Sequence, residues 1–401
     1  MAGYERFPRD PPAEAEKEPE NLSSKNDFAS LEASKEVLRA LEAMGITTPT
    51  QIQVETIPPM MAGRDIIGIA PTGTGKTIAF GIPMLEYISL TETRVQELVI
   101  APTRELAMQI VQELTDLARF IPQVRIAALY GGQPMARQIA QLKRRPQIVV
   151  ATPGRLLDMQ NRGHVRLDQV HTMVIDEADE MLKMGFVKDV TKIIESVPPE
   201  RQLVMFSATT NRDVMTISWK FQNEPVEITV EATKENRPQI TQYTIAVPRE
   251  DKMAALQYLL DADEFDRVMV FVNTKFMTQR VCDRLQKQGY QAEALHGDVR
   301  QSQRTRIMND FKRGKFPVLV STDVAARGID VDDVEAVINY DLPNENEYYL
   351  HRIGRTGRAR KHGVSFTMMT FQESVRMDEI LRYMQTRPSP LHFDEARILR
   401  R

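Results

Sequence analysis

Three clusters along the chain carry residue types and spacings that could do chemistry. The first is Ala70-Pro71-Thr72-Gly73-Thr74-Gly75-Lys76-Thr77. It follows an apolar run at 65–70 and opens an amphipathic stretch at 76–88. Gly73 and Gly75 let the backbone turn its N–H groups toward an anion. The start of the following helix adds its dipole. Lys76 has the reach for β- and γ-phosphates, and the Thr77 hydroxyl suits Mg²⁺. Thr72 and Thr74 complete the cradle. Ala70 stands where the strict phosphate-loop pattern has glycine. A chance glycine-rich turn is the competing reading. The strand before, the helix after and the intact Gly-Lys-Thr favour nucleotide binding without naming a reaction.

The second cluster is Asp176-Glu177-Ala178-Asp179, which ends the apolar run His171–Ile175. Carboxylates at the carboxyl edge of a parallel sheet sit where ligands bind in such folds. Asp176 is placed to hold Mg²⁺, partly through water. Glu177 is the natural base or positioner for an attacking water, and Asp179 orients neighbours. A helix N-terminus with early acidic residues is the structural alternative. The third cluster is His351-Arg352-Ile353-Gly354-Arg355-Thr356-Gly357-Arg358. Arg352, Arg355 and Arg358 are spaced to share one helix face. Such a face suits an anion, and a plain solvated basic face is the alternative.

These clusters need elements to position them. Apolar strands are expected at 65–70, 97–101, 124–129, 147–151, 170–176 and 202–207, with helices such as 76–88, 105–120 and 186–197 between them. The alternation implies α/β architecture with a parallel sheet covered on both faces. The pattern pauses at 231–239 (EATKENRPQ) and restarts. Strands are expected at 268–272, 291–295, 318–322 and 334–340, and helices at 252–260, 278–288 and 301–312. The expected organisation is an acidic disordered tail at 1–27, an ATP-binding lobe at 28–230 and a linker at 231–239. A second lobe at 240–385 and a short tail at 386–401 complete it. The cleft between the lobes is the expected ligand site.

Composition narrows the field. The 401 residues carry 52 Lys+Arg against 55 Asp+Glu, a net charge of −3. Seven acidic and four basic side chains in the first 27 residues account for that excess. The balance excludes a polybasic nucleic-acid binder. It leaves room for one whose contacts are few and local. One cysteine, Cys282, excludes a disulfide framework and multi-cysteine zinc sites. No apolar run approaches the ~18–20 residues that span a bilayer, and no signal peptide is visible. A cytoplasmic protein, or a nuclear one if eukaryotic, is expected.

In order and spacing, these motifs resemble those of the DEAD-box ATP-dependent RNA helicases over about residues 28–385. The Asp-Glu-Ala-Asp run is that family's namesake. Thr48-Pro49-Thr50-Gln51-Ile52-Gln53, with Phe28 upstream, is similar to its glutamine-bearing element. The resemblance implies two RecA-like lobes in tandem, with ATP and Mg²⁺ as cofactors. It implies that Gln53 reads the adenine edge, that Thr50 supports the loop and that Asp330 contacts the ribose or its neighbourhood. Arg355 and Arg358 match arginine fingers. Ser207, Thr209, His351 and Arg352 match positions that couple hydrolysis to strand separation. The implied RNA contacts are Thr103, Arg104, Gly132, Thr152, Pro153, Gly154 and Arg155 in the first lobe. In the second they are Asn273, Thr274, His296, Gly297 and Thr322. Hydroxyls, backbone amides and isolated arginines can bind phosphates and 2′-OH groups without reading bases. Thr103 and Thr152 can also cap the helices that follow them. Two departures stand out: Pro71 where glutamine is usual, and Ile46 where an aromatic often stacks on adenine.

The implied activity is RNA-dependent ATP hydrolysis coupled to local, non-processive duplex unwinding or ribonucleoprotein remodelling. Lys76, Asp176, Glu177, Arg355 and Arg358 form the expected catalytic set. The implied partners are single-stranded or short duplex RNA bound without sequence preference, and protein regulators, with the chain itself a monomer. An ATP-gated RNA clamp uses the same residues and is the alternative. The 2′-OH contacts disfavour a DNA-directed enzyme.

Overall fold

The computed structural model describes residues 27–71, 73–209, 212–230, 239–262, 265–326, 334–357, 362–384, 386–393 and 399–400. Thr72, Asp330, Arg358, most of the expected N-terminal tail and most of the linker lie outside the described residues. Those described form two compact units, one before residue 231 and one after residue 238.

The first unit holds seven strands: β1 (Ile66–Ile69), β2 (Glu97–Ile100), β3 (Ile126–Leu129), β4 (Ile148–Ala151), β5 (Thr172–Ile175), β6 (Gln202–Ser207) and β7 (Val226–Thr229). They are all parallel, in the order β3-β4-β2-β5-β6-β1-β7. Alternate side chains enter two separate core layers. Ile66 and Val99 face one; Ile67, Leu98 and Ile100 face the other. Burial on both faces is why these strands read as continuous apolar runs.

The second unit holds β8 (Ile240–Ala246), β9 (Val268–Phe271), β10 (Ala292–Leu295), β11 (Val318–Ser321), β12 (Ala336–Asn339), β13 (Gly363–Met369), β14 (Ser389–Phe393) and β15 (Leu399–Arg400). The order is β10-β11-β9-β12-β13-β8-β14-β15. Its first seven strands are parallel, and β15 closes the edge antiparallel to β14. Strand for strand, the parallel part repeats the order of the first sheet. The chain is therefore α/β, with two RecA-like sheets in tandem. Val268 and Val270 face one core layer, Met269 and Phe271 the other. Among the described residues no helix is long and apolar enough to cross a membrane.

The structure differs from the expected tail at 386–401. Ser389–Phe393 is the counterpart of β7, pairing with β8 through Pro390 opposite Thr244 and Leu391 opposite Ile245. Pro390 hides the strand in the sequence, because proline cannot donate to a ladder and is confined to sheet edges. Leu391 is buried in the core layer of Tyr243, Ile245 and Phe366. Leu391→Ala in the full chain is expected to destabilise the second unit by about 2–4 kcal/mol. Thermal denaturation followed by circular dichroism reads the loss. A cost under about 0.5 kcal/mol would mark a surface segment instead.

Candidate nucleotide site and nucleic-acid interface

The phosphate loop leaves β1 and turns into the helix Lys76–Tyr87. Gly73 (φ +80°) and Gly75 (φ +89°) both adopt left-handed backbone conformations. A Cβ at Gly75 would in addition overlap the Gln53 carboxamide. Only glycine suits that position. Thr74 Oγ1 donates to the Pro71 carbonyl at 2.9 Å, and Lys76 Nζ donates to the Ala70 carbonyl at 3.1 Å. Lys76 is buried, and a buried side-chain donor costs free energy unless acceptors meet it.

Thr50 and Gln53 brace this loop from the helix Gln51–Met61. Thr50 Oγ1 donates to the Thr74 carbonyl at 2.8 Å, and Gln53 Nε2 donates to the Gly75 carbonyl at 3.0 Å. Gln53 Oε1 accepts the Thr50 N–H at 2.9 Å, closing a capping box. The Gln53 amide is thus occupied in holding the loop, with one N–H and one lone pair to spare for a ligand. Phe28 lies in the core beside this loop's bracing helix. Its ring is buried with Leu31, Val37 and Leu41, so it supports the wall and presents no open stacking face. Ile46 packs at the edge of the same cluster.

Asp176 follows β5 and is 3% exposed. Burial pushes its carboxyl above the ordinary aspartate range, while Lys76 and the Glu177 N–H at 2.9 Å pull it back down. Glu177 sits at the N-terminus of the helix Ala178–Lys183 but makes no side-chain cap. Its backbone is left-handed, with φ +50°, a conformation that costs a non-glycine residue about 1–2 kcal/mol. The capping alternative therefore fails for Glu177. Asp179 is buried and accepts Thr209 Oγ1 at 2.9 Å. Ser207 Oγ donates to the Thr209 carbonyl at 2.7 Å. The strand ends of β5, β6 and β1, which are neighbours in the sheet, bring Asp176, Ser207 and the phosphate loop together.

The residues expected to contact RNA occupy the other half of the same edge. Thr103 and Arg104 follow β2, Gly132 follows β3, and Thr152 to Arg155 follow β4. In the second sheet Asn273 and Thr274 follow β9, His296 and Gly297 follow β10, and Thr322 follows β11. These are topologically equivalent strand ends in the two units. Thr103 caps its helix through the Leu106 N–H at 3.2 Å, Thr274 through Met277 at 3.2 Å and Thr322 through Ala325 at 3.3 Å. Thr152 makes no side-chain cap. Pro153 takes the first helical position there. Gly154 and Gly297 are exposed, with open space where a Cβ would point. Gly132 is left-handed at φ +83°. Arg155 Nη1 donates to the Gln133 carbonyl at 3.3 Å, and His296 Nε2 lies 3.2 Å from Gln279 Oε1.

Arg352 and Arg355 do not share one helix face. The helix spans Asn346–Ile353, so Arg352 is in its last turn and Arg355 lies beyond the Gly354 cap. Arg352 is 1% exposed. Nε and Nη2 grip the Asp323 carboxylate at 2.5 and 2.7 Å. Nη1 reaches the Asp341 carbonyl at 2.7 Å and Asn339 Oδ1 at 3.4 Å, and Nη2 reaches Asn273 Oδ1 at 2.9 Å. Its guanidinium is thus committed to the protein. Arg355 is half-buried and shares a small depression with Tyr348 and His351. Sequence reasoning missed Asp323 and Asp341, the acids around Arg352. The available signal was an acid directly after an apolar strand run, the pattern that marks Asp176.

A glycine-cradled lysine beside a buried acidic strand end, on doubly wound sheets, defines a P-loop nucleoside triphosphatase. Family models sharpen that class: residues 50–217 match the DEAD/DEAH box helicase and residues 251–360 the helicase conserved C-terminal domain. The chain belongs to the DEAD-box ATP-dependent RNA helicases, enzymes that use ATP. It is 45% identical over 372 residues to the DEAD-box ATP-dependent RNA helicase CshA of Geobacillus kaustophilus, covering 92% of this chain and 79% of that one. Dbp5 of S. cerevisiae bound to RNA and ADP BeF3 superposes with a TM-score of 0.84 at 29% identity, over 93% of this chain and 97% of that one. A Dbp5 complex with Nup159 and Gle1 gives 0.65 at 27% identity, over 91% and 96%.

Asp176 yields a pH-dependent expectation. A carboxyl whose native pKa is raised binds protons more tightly in the native state than in the unfolded chain. Its contribution to stability therefore falls as pH rises from the ordinary aspartate pKa through the raised one. Asp176→Asn is expected to raise the thermal midpoint by a few degrees at pH 7 while abolishing ATP turnover. The gain should shrink as pH falls through the raised pKa and be gone near 4, the unperturbed value. Melting curves across pH check it. A variant less stable than wild type at pH 7 contradicts this account.

Proposed function

We propose that this chain is an RNA-dependent ATPase that opens short RNA duplexes or remodels ribonucleoproteins, acting as a monomer on the RNA backbone. The observation that carries this reading is the matched division of the two carboxyl edges. In each unit three adjacent strand ends bear hydroxyls, glycines and a few basic groups suited to a sugar-phosphate track. In the first unit the other three bear phosphate chemistry. Backbone-only recognition fits the near-neutral composition and RNA of any sequence. The RNA-bound Dbp5 supports the ligand class, and its complexes support protein regulators. We place the activity in the cytoplasm, where ATP and RNA are both abundant.

In this reading Gly73 to Gly75 direct backbone N–H groups at the ATP phosphates, and Lys76 exchanges its Ala70 carbonyl for phosphate oxygens. Gln53 and Thr50 keep the loop in register, and the spare polar capacity of Gln53 faces the base. The residues also fit a divalent cation. Asp176 is a buried carboxylate that accepts the Glu177 N–H, and Thr77 is a half-buried hydroxyl beside Lys76. Among the described residues no three His, Cys, Asp or Glu side chains form a metal cluster. One carboxylate, one hydroxyl, phosphate oxygens and water make a ligand set that Mg²⁺ accepts. When bound, Mg²⁺ would neutralise charge on the phosphate oxygens.

Glu177, held at a strained turn, orients the attacking water and draws off its proton. Arg355 and Arg358 belong to the other unit and would reach the γ-phosphate only when ATP and RNA together close the lobes. Asp179 and Thr209 link the hydrolytic strand end to the Ser207–Thr209 segment, so loss of the γ-phosphate can change hydrogen-bond partners there. Glu177→Gln is expected to lower RNA-stimulated ATP turnover at least about 100-fold with little change in nucleotide affinity. Stimulated turnover equal to wild type would remove Glu177 from its role.

A further inference from the structure

The carboxyl edge of the second sheet contains a continuous chain of polar contacts, anchored on a buried lysine, that the ATP chemistry does not use. It starts at Lys252, the first residue of the helix Lys252–Ala262 and only 3% exposed. Its ammonium donates to the Tyr340 carbonyl at 3.0 Å and lies 3.7 Å from Asp341 Oδ1 and 3.4 Å from Glu373 Oε2. Glu373 in turn accepts the Thr370 N–H at 2.8 Å and its hydroxyl at 3.0 Å. Asp341 then reaches the turn after β9. Its Oδ2 accepts the Asn273 N–H at 3.2 Å, while Asn273 Nδ2 donates to the Leu342 carbonyl at 2.7 Å. Arg352 seals the other side, bonding both Asn273 Oδ1 and the Asp341 carbonyl.

Each link has a physical reason. A lysine buried this deeply needs acceptors on every side, and removing one charge of such a pair leaves the other uncompensated. The Asn273 backbone N–H leaves the ladder at the end of β9, so a carboxylate is what holds it. Asn273 spends its carboxamide inward, which fixes the turn but leaves few groups of its own to face a ligand. The turn is therefore shaped from behind.

We propose that the Lys252–Asp341 pair is a positioning device: it holds the Asn273–Thr274 turn in the geometry that receives the RNA backbone. Through Arg352 it also registers that turn against the helix that leads to Arg355. This rests on the reading of Asn273 and Thr274 as RNA contacts. Lys252, Asp341 and Glu373 are positioning residues and touch neither ATP nor RNA.

The test uses the full chain with Lys252→Met and, because that variant can fail to fold, Asp341→Asn as well. Asparagine keeps an acceptor for the Asn273 N–H but ends the ion pair. Two readouts are taken. Hydrogen exchange of residues 272–276 in the free protein reports the turn directly, independent of any RNA function. ATP turnover as a function of a single-stranded RNA, and separately of ATP, reports the consequence. The expected result is faster exchange at 272–276 and an RNA half-saturation raised about tenfold, with the KM for ATP within about twofold of wild type. Unchanged exchange and unchanged RNA half-saturation in a folded variant overturn the proposal. So does a parallel loss in RNA response, ATP response and thermal midpoint, which marks general destabilisation. Asn273→Ala separates the underlying reading. If it binds RNA as wild type does while exchange still rises in the other variants, the turn is positioned but not for RNA, and the functional claim falls with that reading.

Discussion

In both sheets all strands but β15 run parallel, so each of them delivers its carboxyl end to the same edge of its own sheet. In the first unit that single constraint gathers residues from Ala70 to Ser207. The register makes it concrete: Ile69 is paired with Ser207, and the Ala70 N–H continues the ladder to the Ser207 carbonyl at 3.0 Å. Asp176 donates its own N–H to the Ile100 carbonyl at 3.0 Å. Phosphate loop, Asp176 and Ser207 are therefore neighbours because of ladder hydrogen bonds, before any side chain contributes. Repeating the same strand order in the second unit gives the second edge the same geometry with different residues on it.

The chemistry at these edges is held in place against its own cost. Asp176, Lys76, Arg352 and Lys252 are all buried, and a buried charge destabilises unless its neighbours replace water. The two units handle this differently. Arg352 is gripped at five hydrogen-bonding contacts and is structural in the sense that its charge is fully committed. Asp176 has fewer compensating partners and a raised pKa, and Glu177 beside it carries a left-handed backbone. Stability is given up where a ligand is expected to supply the missing contacts, and retained where the edge must keep its shape. The Lys252–Asp341–Asn273 chain belongs to the second kind.

Much of this was legible in the sequence, for identifiable reasons. Strands buried on both faces, such as β2, β4 and β9, appear as unbroken apolar runs. The glycines of the phosphate loop announce their conformation by their lack of a side chain. Other elements were masked by their own packing. β13 buries Ser365 and Thr367 among apolar residues, and Thr367 Oγ1 accepts Asn339 Nδ2 at 3.0 Å, so its run is interrupted by hydroxyls that look surface-exposed. β7 is an outer strand and half-exposed, and β14, next to the edge, carries Pro390. The arginine spacing was read as a shared exposed face because helix periodicity does not reveal where a helix stops. Gly354 ends it, and the preceding turn buries Arg352. Gln53 and Phe28 show the remaining limit: residue type and position identify the neighbourhood of a site, while only packing shows which groups are already spent.

Under the proposed mechanism the two edges would cooperate only when ATP and RNA are both bound, with Arg355 and Arg358 then reaching a phosphate held by Lys76. Its most direct test is single-molecule energy transfer between dyes on Glu195→Cys in the first unit and Glu379→Cys in the second, both exposed positions. The native Cys282 is buried and leaves the labelling specific. A distinct high-transfer population is expected only with a non-hydrolysable ATP analogue and single-stranded RNA together. The same population with nucleotide alone, or no shift with both ligands present at saturation, would contradict it.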